Sequence, residues 1–513
     1  MASAAPPTEK EIFRYRYQHG TNLGSIFVLE RWLCGNMYEK IPGSSELEAV
    51  KQSLKVRGLE ATRLKWEQHW LSALTEDDFR WLKNVARCNS IRLPIGFFTL
   101  GPRFCSGTAF EGEPSQVYVN AWNIVKQLVA NCHQHGIGVL LDLHALPGGA
   151  NPHNHSGTDS GKAELWNSVH NLGLSRDCIA FIIREVTDHN MSGVIGVQVC
   201  NEPMWNAPGI HRWYDEILSI TSVIDPSLPI YIGDCWNLSA ALDYAMSKNG
   251  ISDLAPMNPV IVDTHKYYTF TEAHRSQSPH EIIAKIPEEL RQLRKVQGNV
   301  FGKKAAVAVY VGEYSCVMDT RTWERVDPSE RAGLTKSFGH AQLQIWQQRA
   351  AGSAFWTLKM DWMDGGGWGF KEQVKTGAIV PPHSLTLPRE EVISKAKEAV
   401  KQRERLRETA TSQHVKYWNA TAPRTKFEHW RFTSGWDLGF SDAMHFFSAR
   451  AYGVVPGGGE GTGGGGGSDK IGALDLWIKK RMVETEQHHH QFGWQWEHGF
   501  RKGVKDFYDF ASI

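Results

Sequence analysis

The sequence predicts an α/β fold, a (β/α)8 TIM barrel carrying an added C-terminal helical module. Three observations predict it. Eight short segments rich in Val and Ile recur between about residues 19 and 360, and helical patterns separate them. The segments are mostly apolar without alternation, the pattern of strands buried on both faces of a parallel sheet. Six of them end in Arg, His, Asn-Glu, Glu or Trp. Eight such strands alternating with helices close into a barrel, and the C-terminal strand ends of a barrel form its reactive face. A doubly wound open sheet is the competing arrangement, and no G-x-G-x-x-G turn supports it.

The strands are expected at 20–24 (GTNLG), 89–96 (NSIRLPIG), 136–144 (GIGVLLDLH), 193–203 (GVIGVQVCNEP), 228–236 (LPIYIGDCW), 259–268 (PVIVDTHKYY), 305–315 (AAVAVYVGEYS) and 353–360 (SAFWTLKM). Between them a helix is expected at 75–87, where Thr75 supplies the N-cap. Another is expected at 119–136, closed by Gly136. The barrel then spans 19–384, behind an N-terminal extension at 1–18.

Residues 385–513 have a different character. The stretch 387–408 reads as a charged helix begun by Pro388 and supported by Glu391 with Lys395 one turn on. A Gly-rich loop follows at 456–468. An internal repeat sets WRFTSGWDLGFSDAMHF (430–446) against WQWEHGFRKGVKDFYDF (494–510), 64 residues later. Trp430/Trp494, Gly435/Gly499, Trp436/Phe500, Gly439/Gly503, Asp442/Asp506 and Phe446/Phe510 correspond. Each copy is one helix with a G-x-x-x-G edge that lets helices approach closely, and Asp442 and Asp506 read as capping or ion-pair residues.

Composition narrows the function. The 513 residues are 41% hydrophobic and 22% charged, ordinary values for a large globular chain. Net charge is +1, from 56 basic and 55 acidic residues. That balance gives no support for nucleic acid or an anionic membrane as a partner. No run of about 18 apolar residues spans a membrane. The eight cysteines form no C-x-x-C pair, so neither a metal site nor a cofactor is implied. With no signal-peptide pattern at the start, a cytoplasmic protein with reduced thiols is expected.

The strand endings are Arg92, His144, Asn201-Glu202, His265-x-Tyr267, Glu313 and Trp356. Buried carboxylates and Arg are costly without a purpose. Glycoside hydrolysis needs two carboxyl groups about the scissile bond, about 5 Å apart when configuration is retained. Glu202 and Glu313 end strands four and seven, which face each other across a barrel mouth. Glu202 is the expected general acid/base and Glu313 the nucleophile. Asn201 is placed to hold a sugar 2-hydroxyl. Arg92 is placed to bond Glu313 and lower its pKa. His144 and His265 are placed to donate to hydroxyls or to the acid/base pair, and Trp356 to floor the ring.

These residues resemble glycoside hydrolase family 5, the cellulase superfamily, and especially its fungal exo-β-1,3-glucanase branch. The matching stretches are GTNLGSIFVLERW (20–32), EQHW (67–70), TEDDFRWLKNVARCNSIRLPIGFF (75–98), LLDLHALPGGANPHNHSG (140–157), VCNEP (199–203), HKYYTF (265–270), VGEYS (311–315) and FWTLK (355–359). The resemblance implies Glu202 as acid/base and Glu313 as nucleophile. It places Arg92, His144, Asn201, His265, Tyr267 and Trp356 around the sugar and gives Glu30 a substrate hydroxyl. Three positions depart from the branch: Ile26 stands where it has Trp, the loop 142–151 reads DLHALPGGAN, and Leu358 replaces a second Trp. All three border the pocket. The substrate expected is a β-linked oligosaccharide or glycoside, cleaved by an exo-acting β-glucosidase of the exo-β-1,3-glucanase kind. A β-1,6-glucanase or a β-glucosidase of glycolipid or glycoside conjugates is the alternative. From another class, a non-catalytic carbohydrate-binding barrel remains.

Overall fold

The structure, a computed structural model, describes residues 4–251, 257–457 and 466–513. Eight parallel strands close into a barrel in sequence order: β1 (Gln18–Asn22), β2 (Ser90–Gly96), β3 (Gly138–Ala145), β4 (Val194–Gln198), β5 (Ile230–Gly233), β6 (Val260–Tyr268), β7 (Val309–Met318) and β8 (Gly352–Phe355). β1 and β8 complete the ring, with Gln18 beside Gly352 and Thr21 beside Phe355. Each expected apolar segment overlaps one strand, and β1 begins at Gln18, before the expected start of the barrel at 19. Several strands are shorter than their segments because the chain leaves the ladder to build the rim. The fourth segment stops pairing at Gln198, before Asn201 and Glu202.

Thr75 caps the helix Glu76–Asn84 through a reciprocal bond with Asp78, and Gly136 follows the helix Ala121–Gln134 with φ near +72°. The charged C-terminal helix runs Arg389–Thr421, well past the expected end at 408. Ala410 and His414 on its added turns are buried, and His414 stacks on Phe432 with ring centroids 4.0 Å apart. Packing extended what local composition did not mark.

The stretch 1–18, read as an extension, contains the helix Glu9–Tyr15, whose Ile12, Phe13 and Tyr15 are buried. They share one apolar cluster with Leu140, Ile195, Tyr231 and Tyr310 of the barrel strands and with Trp436, Phe440 and Trp477. This cluster seals the barrel at the starts of the strands: Tyr17, just before β1, bonds through its N–H to the Lys470 carbonyl. The C-terminal helices therefore pack under the barrel, at the end remote from Glu202 and Glu313.

The two repeat copies form the helices Trp430–Ser448 and Gly493–Ala511, and their G-x-x-x-G edges face each other. A Cβ on Gly435 would lie 2.0 Å from the Trp496 carbonyl oxygen, and one on Gly499 2.0 Å from that of Phe432. At Gly439 and Gly503 the distances are 2.1 and 2.2 Å, to the carbonyls of Phe500 and Trp436. Only glycine permits this backbone approach. Asp442 pairs with Arg481 at 2.8 Å, and Asp506 accepts from Trp436 Nε1 at 2.7 Å.

Of the Gly-rich loop 456–468, residues 458–465 lie outside the described residues. Its two ends are not inert. The Gly467 and Ser468 N–H groups donate to the carbonyls of Leu387 and Ser384, and Pro456 and Gly457 lie against His135 and Gly136.

Candidate active site

The rim of the barrel gathers the polar strand endings around one charged centre. Arg92, two residues inside β2, is fully buried. Its side chain has five N–H groups; four donate to acceptors, and an ion pair adds a fifth partner. Nε donates to Gln198 at 2.9 Å; Nη1 to Asn22 at 3.0 Å and to Glu313 Oε1 at 2.9 Å; Nη2 to Asn201 at 2.7 Å. Asp142 Oδ2 lies 2.9 Å from Nη2. Asn22 sits directly across the register from Arg92 on β1. A planar fork that meets five partners from four strands sets their spacing.

Glu313 on β7 stands beside His265 on β6 in the strand register. Tyr267 Oη donates to Glu313 Oε2 at 2.8 Å. His265 Nδ1 donates to Glu202 Oε1 at 2.7 Å and Nε2 to Asp263 at 3.0 Å, while Nδ1 also lies 3.4 Å from Glu313 Oε2. Burial opposes charge on His265, but Glu313 and Asp263 outweigh it, and the imidazole stays protonated well above its usual range. Burial alone would raise the Glu202 carboxyl; the hydrogen bond and charge of His265 outweigh it and hold Glu202 low.

At Glu313 the balance falls the other way. Arg92 makes the expected contact, but the expected lowering of the pKa does not follow. Burial raises the Glu313 carboxyl, the Glu202 charge adds to the rise, and His265 and Arg92 only partly oppose it.

Glu202 has φ near +41°, a left-handed conformation costly for a side chain of this size. Asn151 Nδ2 donates to its carbonyl at 2.9 Å and holds the turn. The strained turn lifts the carboxyl off β4 toward the centre. A carboxylate oxygen from each of Glu202 and Glu313 and a ring nitrogen of His265 lie within 4.8 Å of one another. These donor types also bind divalent cations; here both ring nitrogens of His265 are engaged by carboxylates, Glu202 and Asp263.

His144 Nδ1 donates to Asp142 at 2.7 Å, and Asn201 Nδ2 donates to His144 Nε2 at 3.3 Å. Asn201 thus bridges Arg92 and His144. Trp356 follows β8, buried, its ring 6.0 Å from that of His144 and within 14° of parallel. Gly24 is needed here, since a Cβ would lie 2.8 Å from the Trp356 ring. Glu30 accepts from Trp32 Nε1 at 2.9 Å, and burial pushes its carboxyl up to about 7. All nine residues read from the sequence therefore lie in or beside one site.

Sequence reasoning missed Asp142, Asp263, Gln198, Asn22 and His155. A signal for the first two exists: Asp142-Leu-His144 and Asp263-Thr-His265 repeat one spacing, and residues two apart on a strand share a face. His155 lies 3.3 Å from Glu202 Oε2, and burial pushes its imidazole down to about 3. It comes from a single 3-10 turn, Asn154–Ser156, in the connection after β3, where no periodicity marks it.

Comparison with known proteins identifies the family. The family Cellulase (glycosyl hydrolase family 5) matches residues 47–361, and Glucan 1,3-beta-glucosidase 3 C-terminal domain matches 399–511. Glucan 1,3-beta-glucosidase 3 of Schizosaccharomyces pombe is 30% identical over 93% of this chain and 92% of its own. Glucan 1,3-beta-glucosidase of Yarrowia lipolytica is 22% identical over 71% and 89%. Rutinosidase from Aspergillus niger shares the fold, with a TM-score of 0.54 at 17% identity over 72% of this chain and 99% of that one. The chain belongs to glycoside hydrolase family 5 and is a glycosidase.

Proposed function

We propose that the enzyme is a retaining, exo-acting β-glucosidase related to the exo-β-1,3-glucanases, with Glu313 as nucleophile and Glu202 as general acid/base. The observation that carries this reading is the short separation of the two carboxyl groups. Inverting enzymes keep theirs about 6.5–9.5 Å apart to admit a water, whereas retaining enzymes hold them at about 5–5.5 Å. The chain's likeness to the glucan 1,3-beta-glucosidases supports β-glucosyl specificity.

In the first step Glu313 attacks the anomeric carbon and the glycosidic oxygen leaves with a proton. Arg92 and Tyr267 each hold one oxygen of Glu313, which aims the carboxylate. His265 Nδ1 lies 2.7 Å from Glu202 Oε1, close enough to pass the proton for the leaving group to it. As Glu313 spends its charge in the new bond, the attraction that keeps His265 protonated weakens, and the proton passes toward Glu202. Water then enters, Glu202 takes its proton, and the glycosyl ester on Glu313 is hydrolysed. Asn201 and Glu30 accept or donate to ring hydroxyls, and His144 orients Asn201.

The free state of all eight thiols supports a reducing, cytoplasmic setting. The test of the reaction is product stereochemistry by proton NMR on a chromogenic β-glucoside. The β-anomer is expected as first product, and an α-anomer would sink the retaining assignment.

A further inference from the structure

We propose that Glu46 is a positioning residue for the reaction: it fixes the backbone of the loop that carries Glu30 and so sets where that carboxyl meets the sugar. The inference rests on the reading above in which Glu30 meets a ring hydroxyl, and it adds a residue outside the catalytic centre.

Glu46 opens the helix Glu46–Arg57, a position where an acidic side chain at the surface would suit the helix dipole. Here the side chain is buried instead, only 1% exposed. Its Oε2 accepts from the Leu29 N–H at 2.6 Å, and its Oε1 accepts from Trp66 Nε1 at 2.7 Å and from the Tyr118 hydroxyl. One carboxylate thus ties the loop after β1 to the helix Leu59–Leu71 and to Tyr118. Among the described residues no cation pairs with it. Burial pushes the carboxyl up to about 7, and the hydrogen bonds of these three neutral donors oppose that rise. A buried carboxylate without a counter-ion is costly, and packing alone would be met by an apolar side chain. What the carboxylate supplies is a strong acceptor for a backbone N–H at one fixed point.

That point lies one residue before Glu30. The Glu30 N–H donates to Ser25 Oγ at 2.8 Å, and the Glu30 carbonyl accepts from the N–H groups of Leu33 and Cys34 at 2.9 and 3.0 Å. Ser25 has φ near +61°, and its carbonyl lies 3.1 Å from His69 Nε2. The loop therefore closes on itself; His69 fastens it at Ser25, and Glu46 fastens it beside Glu30. Burial raises the Glu30 carboxyl, His144 lowers it, and the charges of Glu313 and Glu202 raise it further, so Glu30 stands within electrostatic reach of both catalytic carboxyls. A displacement of about 1 Å in a group placed this close to the chemistry can cost about a hundredfold in rate.

Variants of the full-length enzyme test this with 4-nitrophenyl β-glucoside, the thermal midpoint being measured alongside. Glu46→Gln keeps the size but leaves one acceptor oxygen where three donors converge, and kcat/KM should fall about tenfold, the scale of one hydrogen bond to a charged group. Glu46→Asp keeps the charge and withdraws it from Leu29; it serves as the second variant should the glutamine not fold. The deciding measurement repeats both changes in a Glu30→Gln background, which itself should lower kcat/KM. There either change should cost no more than about twofold, because its effect runs through Glu30. Losses that multiply in the double variants, the outcome of a merely structural Glu46, overturn the positioning role, and so does a Glu46→Gln enzyme with wild-type kcat/KM. Glu30→Gln at the full wild-type rate overturns it as well, while leaving the assignments of Glu202 and Glu313 standing. No turnover by the wild type overturns the reaction reading and this inference together.

Discussion

Arg92 Nη1 donates to Glu313 Oε1 across 2.9 Å, at the one point where the buried guanidinium reaches the reacting carboxylate. Burial raises the Glu313 carboxyl and the Arg92 charge restrains it. Removing that charge in Arg92→Ala therefore raises the Glu313 pKa further. Glu313 must be ionised to attack, so the acidic limb of kcat/KM moves to higher pH. Asp142 also loses its cation, and breaking a buried pair in this way costs about 3–5 kcal/mol of stability. Arg92→Lys keeps the charge without the fork and should shift the limb less. Profiles of kcat/KM against pH for both variants check this, and an unmoved limb in Arg92→Ala counts against the coupling.

Glu313→Gln keeps shape and hydrogen bonding but cannot form a glycosyl ester. Turnover should drop by about six orders of magnitude, on the scale seen when a covalent nucleophile is removed. A 2-deoxy-2-fluoro β-glucoside should label the wild type at Glu313 alone. Peptide mass mapping that finds the sugar elsewhere would displace Glu313 from its role.

Glu202→Ala should lose about 10²–10⁴-fold on substrates with poor leaving groups. The loss should be far smaller on activated aryl glucosides, which leave without a proton. The variant also deprives His265 of one of the acidic neighbours that hold its proton. Added azide should restore turnover and give a β-glucosyl azide. An equal loss on both substrate types would remove Glu202 from acid catalysis.

The helices Trp430–Ser448 and Gly493–Ala511 should act as structure. Gly439→Ala places a Cβ against the Phe500 carbonyl, so the helices must part, at a cost of about 1–3 kcal/mol. Calorimetry should show a lower thermal midpoint, with kcat of the folded enzyme kept, since this packing lies at the far end of the barrel. Truncation after residue 384 strips the cover from Ile12, Phe13 and the strand starts, and should give poorly soluble protein. Deleting 456–468 in full should also destabilise, because Gly467 and Ser468 bond to Leu387 and Ser384. A soluble, monomeric, fully active truncation would show that the barrel does not need the module.

The sequence by itself determined the barrel and the polar strand endings that gather at its rim. A strand buried on both faces must be apolar along its length, so eight strands announce themselves locally. A polar residue survives at a strand end only where the rim uses it, which singled out Glu202, Glu313, Arg92, His144 and His265. The repeat at 430–446 and 494–510 announced two helices with glycine edges for the same reason, since close approach leaves a spacing in the chain. Only the tertiary structure decided which way burial and neighbours push the acid groups of the centre. Charge on Glu202, His265 and Glu313 depends on burial and on neighbours from other strands, and the Arg92 contact could be foreseen while its losing balance against burial could not. Tertiary structure also decided that the helix Glu9–Tyr15 and the C-terminal helices close the barrel floor, and that Glu46 reaches the loop that carries Glu30. Spacing along the chain records what a residue's own element demands; a sum of charges, or an apolar face awaiting its partner, exists only once the elements have met.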